Sequence, residues 1–266
     1  SYTMIAVGLL MTLITIYNYF STPKTEKAIV KNSVEAQKAS FASVFASFFR
    51  KKQIGLVLAF ILLFRLGESQ LLKMLTPFLI DETAVGGLGL GTQDVGIIYG
   101  TFGLIALTLG GILGGIAISK DGLGKWMLPM ILAMHLPIIG FVLLAHFHPS
   151  LLYHIQWDLH FFNFDYNFNV YTTLVVVLEQ FGYGFGFAAF MMYLIYVAEG
   201  ESKTSHYSIA TGFMALGMML PGMASGFIQE YLGYGNFFIW VFISTIPGLL
   251  LSRFLIFPKD FGKKSA

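Results

Sequence analysis

The sequence predicts an all-α membrane protein with seven transmembrane helices, and three observations carry that prediction. The 266 residues are 56% hydrophobic and 11% charged, against about 25% charged in an ordinary soluble domain. Mean hydropathy is +0.73. The apolar residues fall into seven continuous runs, at 1–20, 54–80, 95–118, 126–145, 170–197, 207–228 and 237–257. Each is near the length of about 20 residues that a spanning helix needs; membrane strands would alternate over about ten. The basic residues between the runs lie on one side only.

That asymmetry sets orientation, because Lys and Arg collect in cytoplasmic loops. The 16 basic residues comprise Lys24, Lys27, Lys31, Lys38, Arg50, Lys51 and Lys52 after the first run, then Lys120, Lys125, Lys203, Arg253, Lys259, Lys263 and Lys264 on the same side, and Arg65 and Lys73 inside the second run. The opposite loops, 81–94, 146–169 and 229–236, contain none. The chain is therefore expected to enter its first span from outside and to end in the cytoplasm.

Taken in order, residues 1–20 form the first span. They start on Ser1 with no basic segment before them and no small-residue cleavage site after, unlike a signal peptide. The chain is expected to be a fragment cut inside a longer membrane protein. Residues 21–53 read as a basic cytoplasmic linker. Its second half places Phe41, Val44, Phe45, Phe48 and Phe49 at helical spacing, which fits either a helix on the membrane surface or a connector packed on the bundle. Residues 54–257 hold the remaining six spans, and 258–266 form a cytoplasmic tail.

Those six spans divide into two triplets of opposite orientation, an inverted-repeat arrangement found in secondary transporters. A shift of 111 residues pairs Gly111 with Gly222, Gly115 with Gly226, Gly122 with Gly233, Gly124 with Gly235 and Glu68 with Glu179. Helix character repeats too. The first helix of each triplet carries charge, the second is rich in glycine, which permits close helix approach, and the third has no charge in its core.

An ionisable side chain at the bilayer centre costs roughly 2.5–3.5 kcal/mol. Arg65, Glu68 and Lys73 must therefore face protein or water. At 100° per residue Arg65, Glu68 and Ser69 share one face, with Lys73 at its edge, and Arg65 can pair with Glu68 one turn on. Counting rise per residue puts Glu68 and Glu179 near mid-membrane. They are candidate proton carriers, while Arg65, Lys73, Gln180 and Tyr183 are candidate substrate contacts. An ion-pair staple for Arg65–Glu68, a hydrogen-bonded protonated Glu179, and packing roles for Gln180 and Tyr183 are the structural alternatives.

Several features are set aside. The stretch GGLGLGTQDVG, 86–96, lies between two spans rather than between a strand and a helix, so it is not a nucleotide loop; Thr92 is expected to cap the third span. His135 reads as a satisfied core residue. The aromatic loop 146–169 reads as interfacial. Its His146, His148, His154 and His160, with Asp158, match no compact metal-ligand spacing. A net charge of +2 points away from nucleic acid, and without cysteine there are no disulfides or thiolate sites.

The stretch AISKDGLGKW, 117–126, resembles the loop signature of the major facilitator superfamily, Gly-x-x-x-Asp-Arg-x-Gly-Arg. Ala117 replaces its glycine, Asp121 is kept, Gly122 replaces the arginine, and Gly124 and Lys125 close it. FRLGES at 64–69, PFLID with GTQDVGIIYGTFGLIALTLGGILGG at 77–115, LEQFGYGFGFAAF at 178–190 and ALGMMLPGMASGFIQEYLGYGNFF at 215–238 resemble the second half of AmpG-type muropeptide permeases. The resemblance implies a half-bundle that works with a missing N-terminal six-helix half by alternating access, in a bacterial inner membrane. It implies proton-driven import of anhydromuramyl cell-wall fragments, with no cofactor and a small anionic substrate. Asp121, Gly124 and Lys125 would then belong to a conformational loop. A transporter of another anionic metabolite, such as acetyl-CoA or a sugar conjugate, is the alternative. A retinal-type receptor would need a lysine in the last span, and an intramembrane enzyme would need an aspartate pair or nucleophile set; the spans supply neither, and no enzyme activity is expected.

Overall fold

The computed structural model describes residues 2–22, 41–159 and 162–264. Lys24, Lys27, Lys31 and Lys38 of the linker, and His160, lie outside them. The chain divides into two units, 1–43 and 44–266. The first holds α1 (Tyr2–Ser21), whose side chains from Met4 onward are exposed and whose Thr12 and Thr15 hydroxyls donate to carbonyls one turn back. Residues of this kind place apolar surface outward, as lipid or another helix requires.

The second unit begins in α2 (Phe41–Phe49). Of the two readings of this amphipathic helix, the packed connector is the one observed. Phe48 is fully buried, lies parallel to Phe213 at 6.5 Å, and the neighbouring Ser47 hydroxyl sits 2.9 Å from Nε2 of His206.

The second span is α3 (Ile54–Phe64) and α4 (Leu66–Ile80), interrupted at Arg65. Pro77 within α4 has no N–H, which leaves the Lys73 carbonyl without its helical partner. The third span is α5 (Thr92–Ile97), a π turn at Ile98–Gly103, and α6 (Leu104–Asp121). Its cap differs from expectation. Gly91 is the capping residue, with extended backbone, and Asp94 accepts the Gly91 N–H at 3.0 Å. Thr92 is already the first helical residue, so the acid three positions on, rather than the threonine hydroxyl, satisfies the free donor. The fourth span is α7 (Leu123–His135) and α8 (Ile138–Phe147), with Pro137 at the junction.

The loop read as interfacial contains an antiparallel hairpin, β1 (Leu152–Leu159) and β2 (Phe162–Asn169), with Leu152 opposite Asn169. The alternation of aromatic and polar residues in LYHIQWDL and FNFDYNFN is a strand period; the aromatic content alone had pointed only to the interface. Apart from short turns and the tail after Ser252, the rest of the described chain is helical.

The fifth span, α9 (Val170–Ala198), starts on Asn169, whose side-chain oxygen accepts from Tyr171 N and Thr172 N. The glycines of FGYGFGF let α9 touch two neighbours through backbone. A β-carbon on Gly184 would overlap the Leu107 carbonyl of the third span, and one on Gly182 the Ala133 carbonyl of the fourth.

The last helix, α10 (Lys203–Ser252), runs for 50 residues. At about 1.5 Å per residue that would be about 75 Å if straight, far beyond a hydrocarbon core of about 30 Å. It holds two spans because Gly233 is non-helical, at φ 71°, ψ 163°. Contacts establish the reversal. Before Gly233, Gly217 meets Leu62 and Gly222 meets Lys73, so the sixth span ascends with the second. After it, Tyr234 donates to Asp81, Trp240 to Gln70, and Gly248 meets Phe64, so the seventh descends. The seventh helix ends at Ser252, short of the expected 257. Gly122, its partner in the 111-residue shift, has nearly the same backbone, φ 87° and ψ 157°. Both follow the glycine-rich second helix of a triplet, and both need a residue without a side chain.

Candidate functional site

Arg65 closes α3, and its position between two helical segments lets its side chain turn into the bundle, where it is 1% exposed. Its Nη1 donates to Glu68 Oε2 at 2.6 Å. Its Nη2 contacts Met218 Sδ at 2.8 Å and the Tyr183 hydroxyl at 3.5 Å. The guanidinium lies 5.2 Å from the ring centre of Phe187, close enough for cation–π attraction. Second, fifth and sixth spans therefore meet on this one cation.

Around it lies a ring of incompletely satisfied polar groups. Glu68 and Glu179 are both buried, and among the described residues Oε1 of the first and Oε2 of the second have no hydrogen-bond partner; nor has Arg65 Nε. The two carboxyls are near enough to act on each other electrostatically, as are both with Tyr99. Buried polar atoms are rarely left unpaired, at about 1–3 kcal/mol each. A set with two open carboxyl oxygens is therefore suited to taking up a proton or a polar group.

The expected face is present: Arg65, Glu68 and Ser69 are buried together. Lys73 is not part of it. It is exposed, its stem lying over Gly222, and it makes no ion pair among the described residues. Gln180 is buried, its stem packed near Gly103 of the π turn, and Tyr183 is half-buried against Arg65. Arg65, read from sequence as a substrate contact, is enclosed by protein groups in this conformation, because Glu68, Tyr183 and Met218 engage its two terminal nitrogens.

Two residues of this neighbourhood were missed from sequence, and a third is less satisfied than expected. Tyr99 sits in the π turn, a feature frequent at functional sites; the glycines around it, Gly96, Gly100 and Gly103, were the only signal. Met218 looks like any apolar residue of its span. His135, expected to be satisfied, is buried beside Phe64 at 5.4 Å, yet neither ring nitrogen has a well-formed hydrogen bond.

At the loop resembling the facilitator signature, Asp121 accepts from Trp126 Nε1 at 3.0 Å and pairs with Lys125 at 3.0 Å. Gly122 and Gly124 meet the tail. Leu123 N donates to Phe261 O and Gly124 N to Lys259 O, at 2.8 and 2.9 Å, and Lys264 N donates to Ser119 O at 2.8 Å. A β-carbon on Gly124 would come within 2.7 Å of Lys259 Cα, so the tail is part of the loop's packing. Among the described residues no three His, Cys, Asp or Glu side chains cluster as a metal site would require.

The fold and site thus describe a multi-pass membrane protein with a buried acid–base cluster. No family model matches the chain, but curated proteins do. It is 26% identical over 216 residues to putative transporter AmpG 2 of Rickettsia typhi, covering 81% of this chain and 47% of that protein. It is 24% identical over 204 residues to the anhydromuropeptide permease of Escherichia coli, covering 77% of this chain and 37% of that protein. It is 23% identical over 258 residues to putative transporter AmpG 4 of Rickettsia felis, covering 95% and 56%. The chain spans about half the length of the curated relatives it matches. The likeness to AmpG-type transporters read from FRLGES and LEQFGYGFGF extends over about 80% of the chain.

Proposed function

We propose that the chain is the C-terminal half-bundle of a proton-coupled importer of the major facilitator superfamily, taking anhydromuropeptides into the bacterial cytoplasm across the inner membrane. The observation that carries this reading is the buried Arg65–Glu68–Glu179 cluster, with two open carboxyl oxygens between the second and fifth spans. A transport cycle can use such a set by moving a proton on and off as the surroundings change. The names of the relatives supply the substrate class.

In this reading Lys73 meets a carboxylate of the incoming peptide, since it is exposed and free of an acid partner. Gln180 and Tyr183 become substrate contacts once Arg65 is released. The exposed apolar faces of the third span, with Leu109, Ile112 and Ile116, and of the sixth, with Met219, Met223 and Phe227, face the N-terminal half and lipid. The near-identical backbone at Gly122 and Gly233 supports two inverted three-helix repeats, and the positive-inside asymmetry supports a cytoplasmic C-terminus.

The test uses the full-length protein in proteoliposomes and radiolabelled anhydromuropeptide. Glu68→Gln and Glu179→Gln are each expected to abolish gradient-driven accumulation. Normal accumulation in both variants would end the proton role. Uptake of acetyl-CoA or another anionic metabolite in preference to muropeptide would keep the transporter and replace its substrate.

A further inference from the structure

A cavity of about 380 Å³ opens on the side where the basic residues collect, and the transport reading does not use it. Lys51, Lys52 and Gln53 line it just before the second span, Tyr193 and Tyr196 at the end of the fifth, and Ile256 after the seventh. Its chemistry is one-sided. Tyr193 is 1% exposed, yet its hydroxyl makes no hydrogen bond among the described residues. Lys51 uses one donor, on the Glu199 carbonyl at 2.6 Å, and has two more. Burial lowers the Lys51 pKa, and the nearby Glu199 opposes that shift. The exposed Glu199 carboxylate is the one acidic side chain of the lining, against two lysines.

The cavity is also held open by packing. Phe257 abuts Tyr193 at 5.8 Å and Phe261 abuts Tyr196 at 5.2 Å, so the tail fixes both rings. Gln53 adopts φ 57°, an uncommon conformation for a side-chain-bearing residue. Ile54, Val57 and the exposed Ile256 form an apolar wall beside the polar groups.

Donors without acceptors, two cations and an apolar wall at one end of the helices call for an anionic acceptor attached to a hydrocarbon chain. We propose that this cavity binds a phosphate-bearing group, the head of an anionic phospholipid of the cytoplasmic leaflet, with its chain along Ile54, Val57 and Ile256. Lys51 and Lys52 supply the charge and the Tyr193 hydroxyl a directional hydrogen bond, as basic pockets between membrane helices do for lipid heads.

The test is native mass spectrometry of the purified chain, titrated with phosphatidylglycerol, phosphatidylcholine or inorganic phosphate. Wild type is expected to retain phosphatidylglycerol in preference to phosphatidylcholine. Each lysine near the surface carries about fivefold in affinity, so Lys51→Ala/Lys52→Ala should lose about 25-fold. Tyr193→Phe, which keeps the ring and its packing, should lose about threefold. Ile256→Trp should block retention without altering charge, and Lys263→Ala should leave it unchanged. Displacement by millimolar inorganic phosphate, with no preference among lipids, would support the same phosphate site with a soluble occupant. Equal retention of both lipids without phosphate binding, or wild-type retention by Lys51→Ala/Lys52→Ala and Tyr193→Phe, would overturn the proposal. Thermal unfolding of each variant distinguishes lost binding from lost fold.

Discussion

The second and fifth spans each bury a glutamate, and they hold it in opposite ways. In the second, the helix breaks at Arg65 and the guanidinium turns onto Glu68 at 2.6 Å, one turn away. In the fifth, α9 is continuous through Glu179, and one carboxyl oxygen has no partner among the described residues. The two carboxyls nevertheless share one neighbourhood through Tyr183 and Tyr99. One acid is clamped by its own helix; the other depends on whatever its neighbours offer. The difference teaches that a charge in an apolar span has two physical solutions, an ion pair or an open polar site, and that this protein sets them side by side.

Breaking the clamp should have the largest effect. Arg65→Ala removes one partner of a buried pair and is expected to cost about 3–5 kcal/mol of stability, read as denaturant unfolding in detergent. Arg65→Met/Glu68→Met should recover most of it, because no unpaired charge then remains. A double variant as unstable as the single would mean that packing around Arg65, rather than its charge, is what matters.

Next in size come the two glycine turns, which test whether the triplets are built alike. Gly122→Ala and Gly233→Ala each force a side chain into φ above 70° and should cost about 1–2 kcal/mol. The loss should be greater at Gly122, where a β-carbon would also meet the Lys259 carbonyl at 2.5 Å, whereas Gly233 has open space. Equal losses would show that backbone strain alone governs both.

Glu179→Gln should change stability by under about 1 kcal/mol, since no ion pair is lost, while abolishing coupled uptake. Destabilisation as large as that of Arg65→Ala would erase the contrast between the spans. Smallest of all, Lys125→Ala should leave unfolding unchanged within error, because its pair with Asp121 is at the surface, Lys125 being 63% exposed. A clear loss there would reveal that the loop pair is coupled to the tail.

Much of the fold was legible in the chain. The seven runs, the shared face of Arg65, Glu68 and Ser69, and the amphipathic helix around Phe48 all follow from local spacing. The hairpin 152–169 was less legible, because aromatic residues favour both strands and the membrane interface. The surroundings of Lys73 were legible only in part, for another reason. Helical angle places it at the edge of the charged face, but whether an edge is covered depends on the neighbouring helix, and Gly222 leaves it open. The pairing of Arg65 with Glu68 was readable from their spacing, whereas the contacts of Arg65 with Tyr183 and Met218 join residues more than 100 positions apart.

By itself the sequence determined that this chain is an all-α membrane protein and where its apolar runs fall, and it set the expected orientation. Those properties come from hydrophobic transfer and charge, which act on each segment separately. Only the tertiary structure decided that Arg65 also meets Tyr183 and Met218, that glycines of α9 meet the backbones of two other spans, and that the tail closes on Gly124. Each of these depends on which residues of different helices meet, and close packing determines that only when all the helices are assembled.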